Sequence, residues 1–482
     1  MKLYITNENM MLEAPAGANL LEVLRTAGFG PDAPCGGKGT CGKCKVLVNG
    51  KEKLACKTVI EEDMEVTLPE NGKAEILAKG ITARVRADGN DRYALAFDLG
   101  TTTVVAYLMD GMTGEVLSRC SCVNPQTRYG ADVISRIQYA MDGGADELAE
   151  TVRKALAELT EQAAKMAGIC AKEITVVSIV GNTAMHHLLL GIDPKPLTVP
   201  PYMPSVRDAM EMKADFLPVA EEAVLRILPN IAGFVGADTV GCLVATRFDA
   251  LKELTLMIDI GTNGEMVLGN RDGFLACSTA AGPAFEGAKI SCGMRGAEGA
   301  VDHVKLEGNT VTYSVIGGGK AVGLCGSGLL DLVAVLLANE DIGESGRMEE
   351  TYTLPGSSVS LTQKDVREVQ LAKAAIRAGI ELMCQKRGVK TEDIQKVYLA
   401  GAFGSFMDPA SACAIGMIPP CLQDRIESIG NAAGEGAKLC AVSREEFDYS
   451  KRLAEKAEFL ELASMEDFND CYVDCLMFEE EE

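Results

Sequence analysis

The sequence predicts a multidomain protein in which a small α+β unit at the N-terminus precedes a larger α/β part. Three observations predict this. A glycine-packed cysteine loop, Cys35-Gly-Gly-Lys-Gly-Thr-Cys41-Gly-Lys-Cys44, sits among short strand and helix patterns in the first 70 residues. Two Asp-x-Gly-Thr turns, Asp98-Leu-Gly100-Thr101 and Asp259-Ile-Gly261-Thr262, each join one apolar strand pattern to the next. From Tyr93 onward strands and helices alternate, as sheets covered by helices require.

Taken in order, Lys2 to Thr6 alternate like an edge strand and Asn19 to Ala27 give a short helix with apolar Leu20, Leu21, Val23 and Leu24. Lys45 to Val48 and Glu65 to Leu68 read as further strands of a domain spanning residues 1–70. Residues 71–92 are polar and glycine-bearing (Asn71-Gly72, Asp88-Gly89-Asn90-Asp91), a linker composition. Residues 93–482 form the second domain. Within it, Leu148, Val152, Leu156, Leu159, Ala163 and Met166 keep helical spacing before Gly168, and Val369, Ala372, Ile376, Ile380 and Met383 do so before Gly388. Both predict sheet-covering helices. Glu479 to Glu482 read as a solvated acidic tail.

At 482 residues and 47% hydrophobic content the chain can build about three packed units. No stretch approaches the ~20 apolar residues of a membrane span, and the first residues lack a signal-peptide core, so a cytoplasmic location is expected. A net charge of -23 repels phosphate backbones and anionic lipids, which speaks against nucleic-acid or membrane binding. Of the 17 cysteines, thirteen lie in apolar or small-residue surroundings and read as reduced, core-filling thiols. The 21 methionines read as core filling, and His186, His187 and His303 as packing residues rather than metal ligands.

Cys35, Cys41, Cys44 and Cys56 follow the spacing Cys-x5-Cys-x2-Cys-x11-Cys. Four thiolates can converge on a compact anionic cluster while the intervening glycines let backbone N–H groups approach the sulfurs. Four cysteines also satisfy tetrahedral zinc, which stands as the alternative, although zinc sites usually pair two Cys-x2-Cys units. The loop resembles that of 2Fe-2S ferredoxins, with x5 in place of the plant-type x4 and an early fourth cysteine. That resemblance implies a β-grasp fold and a 2Fe-2S cluster on these four residues.

In both Asp-x-Gly-Thr turns an Asp at a strand end can hold hydrated Mg²⁺ or position water. The Gly and Thr beside it offer backbone N–H and hydroxyl donors to phosphate oxygens. A third glycine-rich element follows in Val397-Tyr-Leu-Ala-Gly401-Ala-Phe403-Gly404. Neither turn is a P-loop. Together the three resemble the phosphate-1, phosphate-2 and adenosine motifs of the superfamily of acetate and sugar kinases, heat-shock ATPases and actin. The resemblance implies two ribonuclease-H-like lobes with ATP between them. By it, Asp98 and Asp259 flank Mg²⁺ and the phosphates, and Gly100, Thr101, Thr102, Thr103, Gly261, Thr262, Asn263, Gly264 and Glu265 line them. Gly401, Phe403 and Gly404 approach the adenosine. Ile179 to Thr183 and Gly323 to Gly328 sit where that superfamily places connecting segments. Glu286 is either a water-orienting carboxylate or a surface or capping residue.

A 2Fe-2S domain fused to such an ATPase resembles the reductive activators of corrinoid proteins, a likeness also carried by Arg128-Tyr-Gly-Ala-Asp132-Val-Ile-Ser-Arg136-Ile and Ser278 to Ala288. It implies ATP-dependent return of a corrinoid protein from Co(II) to Co(I) in a methyl-transfer system, with a corrinoid protein and a low-potential electron donor as partners. The alternatives are activation of another low-potential enzyme, as by the ATPases of 2-hydroxyacyl-CoA dehydratases, and nucleotide-dependent redox sensing without turnover.

Overall fold

The computed structural model describes residues 1–6, 10–27, 37, 39, 42, 44–68, 87–88, 92–261, 263–308 and 310–478. Cys35, Cys41, Thr262, most of the 71–92 linker and the tail from Glu479 lie outside the described residues.

The N-terminal unit is one mixed sheet with a helix. Strands β1 (Lys2–Ile5), β2 (Met10–Glu13), β3 (Lys45–Val48), β4 (Lys51–Leu54) and β5 (Met64–Thr67) lie in the order β2-β1-β5-β3-β4, with α1 (Leu20–Thr26) between β2 and β3 in the chain. Leu3, Ile5, Val46, Val48 and Val66 alternate inward with Leu20, Leu21 and Leu24 to make its core. β1 is an interior strand, not an edge: β2 covers its outer side, antiparallel, and β5 its inner side, parallel. The short, methionine-rich β2 gave no alternation for sequence reading to detect.

The second part holds two sheets of the same plan. In the first, β6 (Tyr93–Leu99), β7 (Thr103–Asp110) and β8 (Val116–Val123) form an antiparallel meander. Helices α2 (Val133–Tyr139) and α3 (Ala145–Ala167) lead to β9 (Ile174–Gly181), which adds parallel to β6. After α4 (Thr183–Leu190), β10 (Met210–Lys213) and β11 (Val224–Ile227) extend that edge, and α5 (Ala237–Thr246) closes the lobe. The second repeats this: a meander of β12 (Thr255–Ile260), β13 (Gly264–Asn270) and β14 (Gly273–Thr279). An intervening subdomain follows, with β15 (Ala300–Glu307), β16 (Thr310–Val315), β17 (Gly323–Leu324), α6 (Gly326–Ala338), β18 (Tyr352–Thr353) and β19 (Ser360–Leu361). Then α7 (Gln363–Arg387) leads to β20 (Lys396–Ala400), parallel to β12. Helices α8 (Gly401–Phe406) and α9 (Pro409–Ala414) precede β21 (Ile426–Gly430), which pairs parallel to β20. Helices α10 (Ala432–Val442) and α11 (Arg444–Lys456) precede β22 (Ala457–Phe459), which pairs with β14, and α12 (Phe468–Asp474) follows.

β6 and β12 are continuous apolar runs because each is covered on both faces. On the outer faces lie α3 and α4 in the first lobe and α6 and α7 in the second. α3 and α7 both end on a left-handed glycine, Gly168 (φ 71°) and Gly388 (φ 70°), as the sequence predicts. Met166 alone of the α3 series points outward, 58% exposed. Between the lobes, Val240 and Leu243 of α5 and Ala437 and Cys440 of α10 share one buried core with Ala96 and Tyr107 of the first sheet and Met257 and Phe274 of the second. The two helices meet at Gly241 and Gly436, where a Cβ on Gly436 would collide with the Gly241 backbone. Asn182 of the Ile179 to Thr183 stretch and Cys325 to Ser327 of the Gly323 to Gly328 stretch line the interlobe cleft. At the linker's end, Asp88 accepts from Arg444 N at 2.7 Å, tying it to the α10–α11 junction.

Among the thirteen cysteines outside the loop set, seven are buried and four half-buried, whereas Cys170 and Cys421 are exposed. His186 and His187 are fully buried; His187 Nδ1 lies 2.7 Å from Thr183 O and its Nε2 accepts from Ser205 N, which fixes a neutral ring. His303 Nδ1 meets Asp331 Oδ2 at 3.0 Å. Among the described residues no helix is long and apolar enough to cross a membrane.

Candidate functional site

The two Asp-x-Gly-Thr turns occupy equivalent places in the two sheets. Asp98 ends β6 opposite Val105 of β7 and Val180 of β9; Asp259 ends β12 opposite Glu265 of β13 and Ala400 of β20. Each turn is closed by a backbone bond, Gly100 N to Thr103 O and Gly261 N to Asn263 O, both 2.9 Å. Both open into one cleft of about 360 Å³ between the lobes. Asp98, Gly100, Thr101, Thr102, Thr103, Asp259, Gly261, Asn263, Glu265, Gly401 and Phe403 all line it. Gly264 and Gly404 do not; they lie behind it, where a Cβ on Gly264 would approach Thr279 Oγ1 to 2.8 Å and one on Gly404 would approach Leu399 to 3.0 Å.

Gly401 is needed for two reasons. Its φ is 80°, and a Cβ there would come within 2.5 Å of Asp259 Oδ1. Phe403 stacks on Phe285, ring centroids 4.9 Å apart and planes inclined by 16°, a flat apolar wall beside the glycine.

Several cleft residues carried no sequence signal strong enough to select them. Asp238, in the first turn of α5, lines the cleft and accepts from Thr239 N at 2.8 Å. Asn431 caps α10 through its Oδ1, which accepts from Gly434 N. Its Nδ2 donates to Asp98 Oδ2 at 2.8 Å and to the Tyr107 hydroxyl at 3.2 Å. The strand-Gly-Asn-Ala-Ala-Gly run at Gly430 to Gly434 was the signal available. Asn182 caps α4 and donates to Thr101 Oγ1 at 2.8 Å. Fully buried Arg136 reaches Thr101 O at 2.6 Å and Gly130 O at 2.8 Å, which clamps the first turn from behind. Glu286, by contrast, was singled out in the sequence as either a water-orienting carboxylate or a surface or capping residue; it faces the cleft, where Thr102 Oγ1 donates to its Oε2 at 3.1 Å.

The site is dominated by carboxylates. Each retains some surface toward the cleft but is enclosed by protein on its other sides, and that enclosure disfavours its charge. Burial pushes Asp98 up to about 6, against the Asn431 hydrogen bond that lowers it. Burial, then the Asp98 charge, pushes Asp259 to about 6. Asp238 rises to about 7 by burial and then by Asp259, and Glu265 lies well above the carboxylate range by burial and then by Asp238 and Asp259. Like charges gathered in an enclosed cleft are a donor set for a cationic ligand. Among the described residues no three His, Cys, Asp or Glu side chains wrap an ion directly. Mg²⁺ keeps waters and takes phosphate oxygens beside one or two carboxylates, and Asp98 and Asp259 at the two turns offer such a pair. Mg–ATP fits these residues.

In the N-terminal unit Cys44 is buried and Cys56 half-buried, and the Cys56 N–H donates to Cys44 Sγ at 3.5 Å. Ala55 N also bonds Cys44 O at 2.8 Å. An N–H aimed at sulfur favours the thiolate that an iron–sulfur cluster requires. Gly37, Gly39 and Gly42 all take positive φ, the backbone region that favours glycine. This half of the ligand set fits the cluster.

Fold and site thus define an actin-like ATPase with two lobes joined to a 2Fe-2S domain. Residues 3–70 match the 2Fe-2S iron-sulfur cluster binding domain, residues 93–251 the RACo middle region, and residues 253–482 the C-terminal domain of RACo, the ASKHA domain. The first match sets the zinc alternative aside. The corrinoid activation enzyme RamQ of Eubacterium limosum is 38% identical over 418 residues, covering 80% of this chain and 70% of that protein. The Co(II) methylated amine-specific corrinoid protein reductase of Methanosarcina barkeri is 27% identical over 419 residues, 79% of this chain and 76% of that one. The solved structure of a reductive activator for a corrinoid, iron-sulfur protein superposes with a TM-score of 0.72 at 29% identity, covering 99% of this chain and 98% of that chain. The chain belongs to the family of reductive activators of corrinoid proteins.

Proposed function

We propose that this chain returns a corrinoid protein from Co(II) to Co(I) in a methyl-transfer system, taking one electron at a time from a low-potential donor in the cytoplasm and using ATP to make the transfer favourable. The observation that carries this reading is the convergence of both Asp-x-Gly-Thr turns and Gly401 and Phe403 on one carboxylate-rich cleft, in the same chain as the four-cysteine unit. When bound, the 2Fe-2S cluster supplies a one-electron relay and Mg–ATP a ligand whose affinity differs between conformations.

In this reading Cys35, Cys41, Cys44 and Cys56 hold the cluster. Asp98 and Asp259 take the Mg²⁺ side of the nucleotide, and Gly100 to Thr103, Gly261, Thr262, Asn263 and Glu265 line its phosphates, with Gly264 packed behind them. Gly401 and Phe403 form the adenosine end, and Gly404 lets that turn pack on Leu399 behind the cleft. Asp238 joins the Mg²⁺ side, Asn431 holds Asp98 in place, and Glu286 orients water through Thr102. A one-electron deficit of about 59 mV corresponds to about 1.4 kcal/mol. Differential binding of nucleotide states typically supplies ~1–3 kcal/mol, which suits a deficit near a hundred millivolts.

The test mixes the anaerobically reduced protein with a Co(II) corrinoid protein and follows cobalt absorbance. Co(I) is expected only with Mg–ATP, and Asp259→Ala should abolish it while leaving cluster absorbance intact. Reduction without ATP, or none across several corrinoid partners, counts against the reading and favours another acceptor or a sensor.

A further inference from the structure

One cation in the cleft is left unused by the roles above. Among the described residues lining the cleft, Arg295 is the single basic side chain, set against Asp98, Asp238, Asp259, Glu265, Glu286 and Asp302. It is half-buried and makes no hydrogen bond, ion pair or ring contact with any described residue. Its placement at the cleft is set by the backbone that carries it, with no ion pair to a described residue. That backbone is fixed: Met294 N donates to Leu324 O at 2.8 Å, and a Cβ on Gly287 would collide with the Met294 main chain.

The charge of Arg295 also reaches the first turn. Arg136, which clamps Thr101 O, feels the charges of both Glu286 and Arg295. Arg295 therefore belongs to the second lobe by sequence but acts beside the Thr101 turn of the first. A planar fork of donors beside the Thr101 turn matches the oxygens of a phosphate brought in by the ligand.

We propose that Arg295 binds the terminal phosphate of the nucleoside triphosphate, so that the cleft distinguishes ATP from ADP and the Glu286 to Gly296 segment is drawn toward the first lobe only in the triphosphate state. This rests on the reading of the cleft as the ATP site.

The experiment titrates the full-length wild type, Arg295→Gln and Arg295→Lys with the β,γ-imido analogue of ATP and with ADP, both with Mg²⁺, by isothermal titration calorimetry. Because Arg295 has no described partner to orphan, the variants should keep the wild-type thermal midpoint. Losing a charge-assisted bond predicts a Kd for the triphosphate raised about 10- to 100-fold in Arg295→Gln, with ADP changed less than about 2-fold. Arg295→Lys, a point charge without the fork, should recover part of the loss. Equal losses for both nucleotides, or no loss for either, would overturn the proposal. Wild-type protein that binds neither nucleotide would overturn the ATP reading of the cleft itself.

Discussion

Replacing Asp98 by Asn should make the nucleotide-free protein more stable and the nucleotide-bound protein less so. A carboxyl raised from 3.8 to about 6 binds its proton more tightly folded than unfolded. Below pH ~4 both states are protonated and the group contributes nothing to folding. As pH rises from there through 6 the folded state must give up a proton it holds well, and stability falls; above 6 the full cost is present. The rise corresponds to about 3 kcal/mol. Solvent at the cleft floor screens part of this, so ~1–3 kcal/mol is expected. In Asp98→Asn the cost disappears, and the new amide can still accept the Asn431 bond now made at 2.8 Å. With no tryptophan in the chain, far-UV circular dichroism is the readout, following urea unfolding at pH 4, 6 and 8. The variant should match wild type near pH 4 and exceed it at pH 8, whereas saturating Mg–ATP should stabilise wild type alone, by ~2.7 kcal/mol at 100 times Kd. A variant no more stable than wild type at pH 8 would refute the reasoning.

Three further outcomes follow from single contacts. Asn431→Ala removes a helix cap and the donor to Asp98, which should destabilise the ATPase part by about 2 kcal/mol in urea titrations and weaken Mg–ATP binding. Cys44→Ser should lose the visible absorbance of the cluster while Mg–ATP binding, measured by calorimetry, is unchanged. Gly436→Ala should cost upward of ~3 kcal/mol or prevent soluble folding, because α10 cannot approach α5 with a Cβ against the Gly241 backbone; expression yield and thermal midpoint report it.

How far the sequence could be read depended on whether a residue's role is local. The turns at Asp98 and Asp259 were legible because a strand end, a tight turn and a second strand fix the carboxylate within a few residues, and the α3 and α7 helices because their apolar spacing ends on Gly168 and Gly388. Gly401 was legible for the same reason. Asp238 was not, since an acidic residue in a first helical turn is ordinary until the fold aims that helix into the cleft. Asn431 and Arg136 escaped because each acts on a residue far away in the chain, Asp98 and Thr101 respectively. β1 was misplaced at the sheet edge because pairing partners, unlike alternation, are not written in the strand itself.

The carboxylates and the interlobe helices are one device. Asp238 sits in the first turn of α5, and Asn431 is the N-cap of α10. Those two helices fill the core between the sheets, so each presents a cleft residue at one end and interlobe packing along its length. Without ligand, the Asp98 charge in one lobe disfavours the Asp259 charge in the other, and this repulsion opposes closure. A bound cation reverses the sign of that term. The change acts on residues rooted in α5 and α10, and the Gly241–Gly436 contact leaves those helices no room to absorb it by local slack. Neutralisation in the cleft therefore acts on residues carried by the helices that pack the two lobes together.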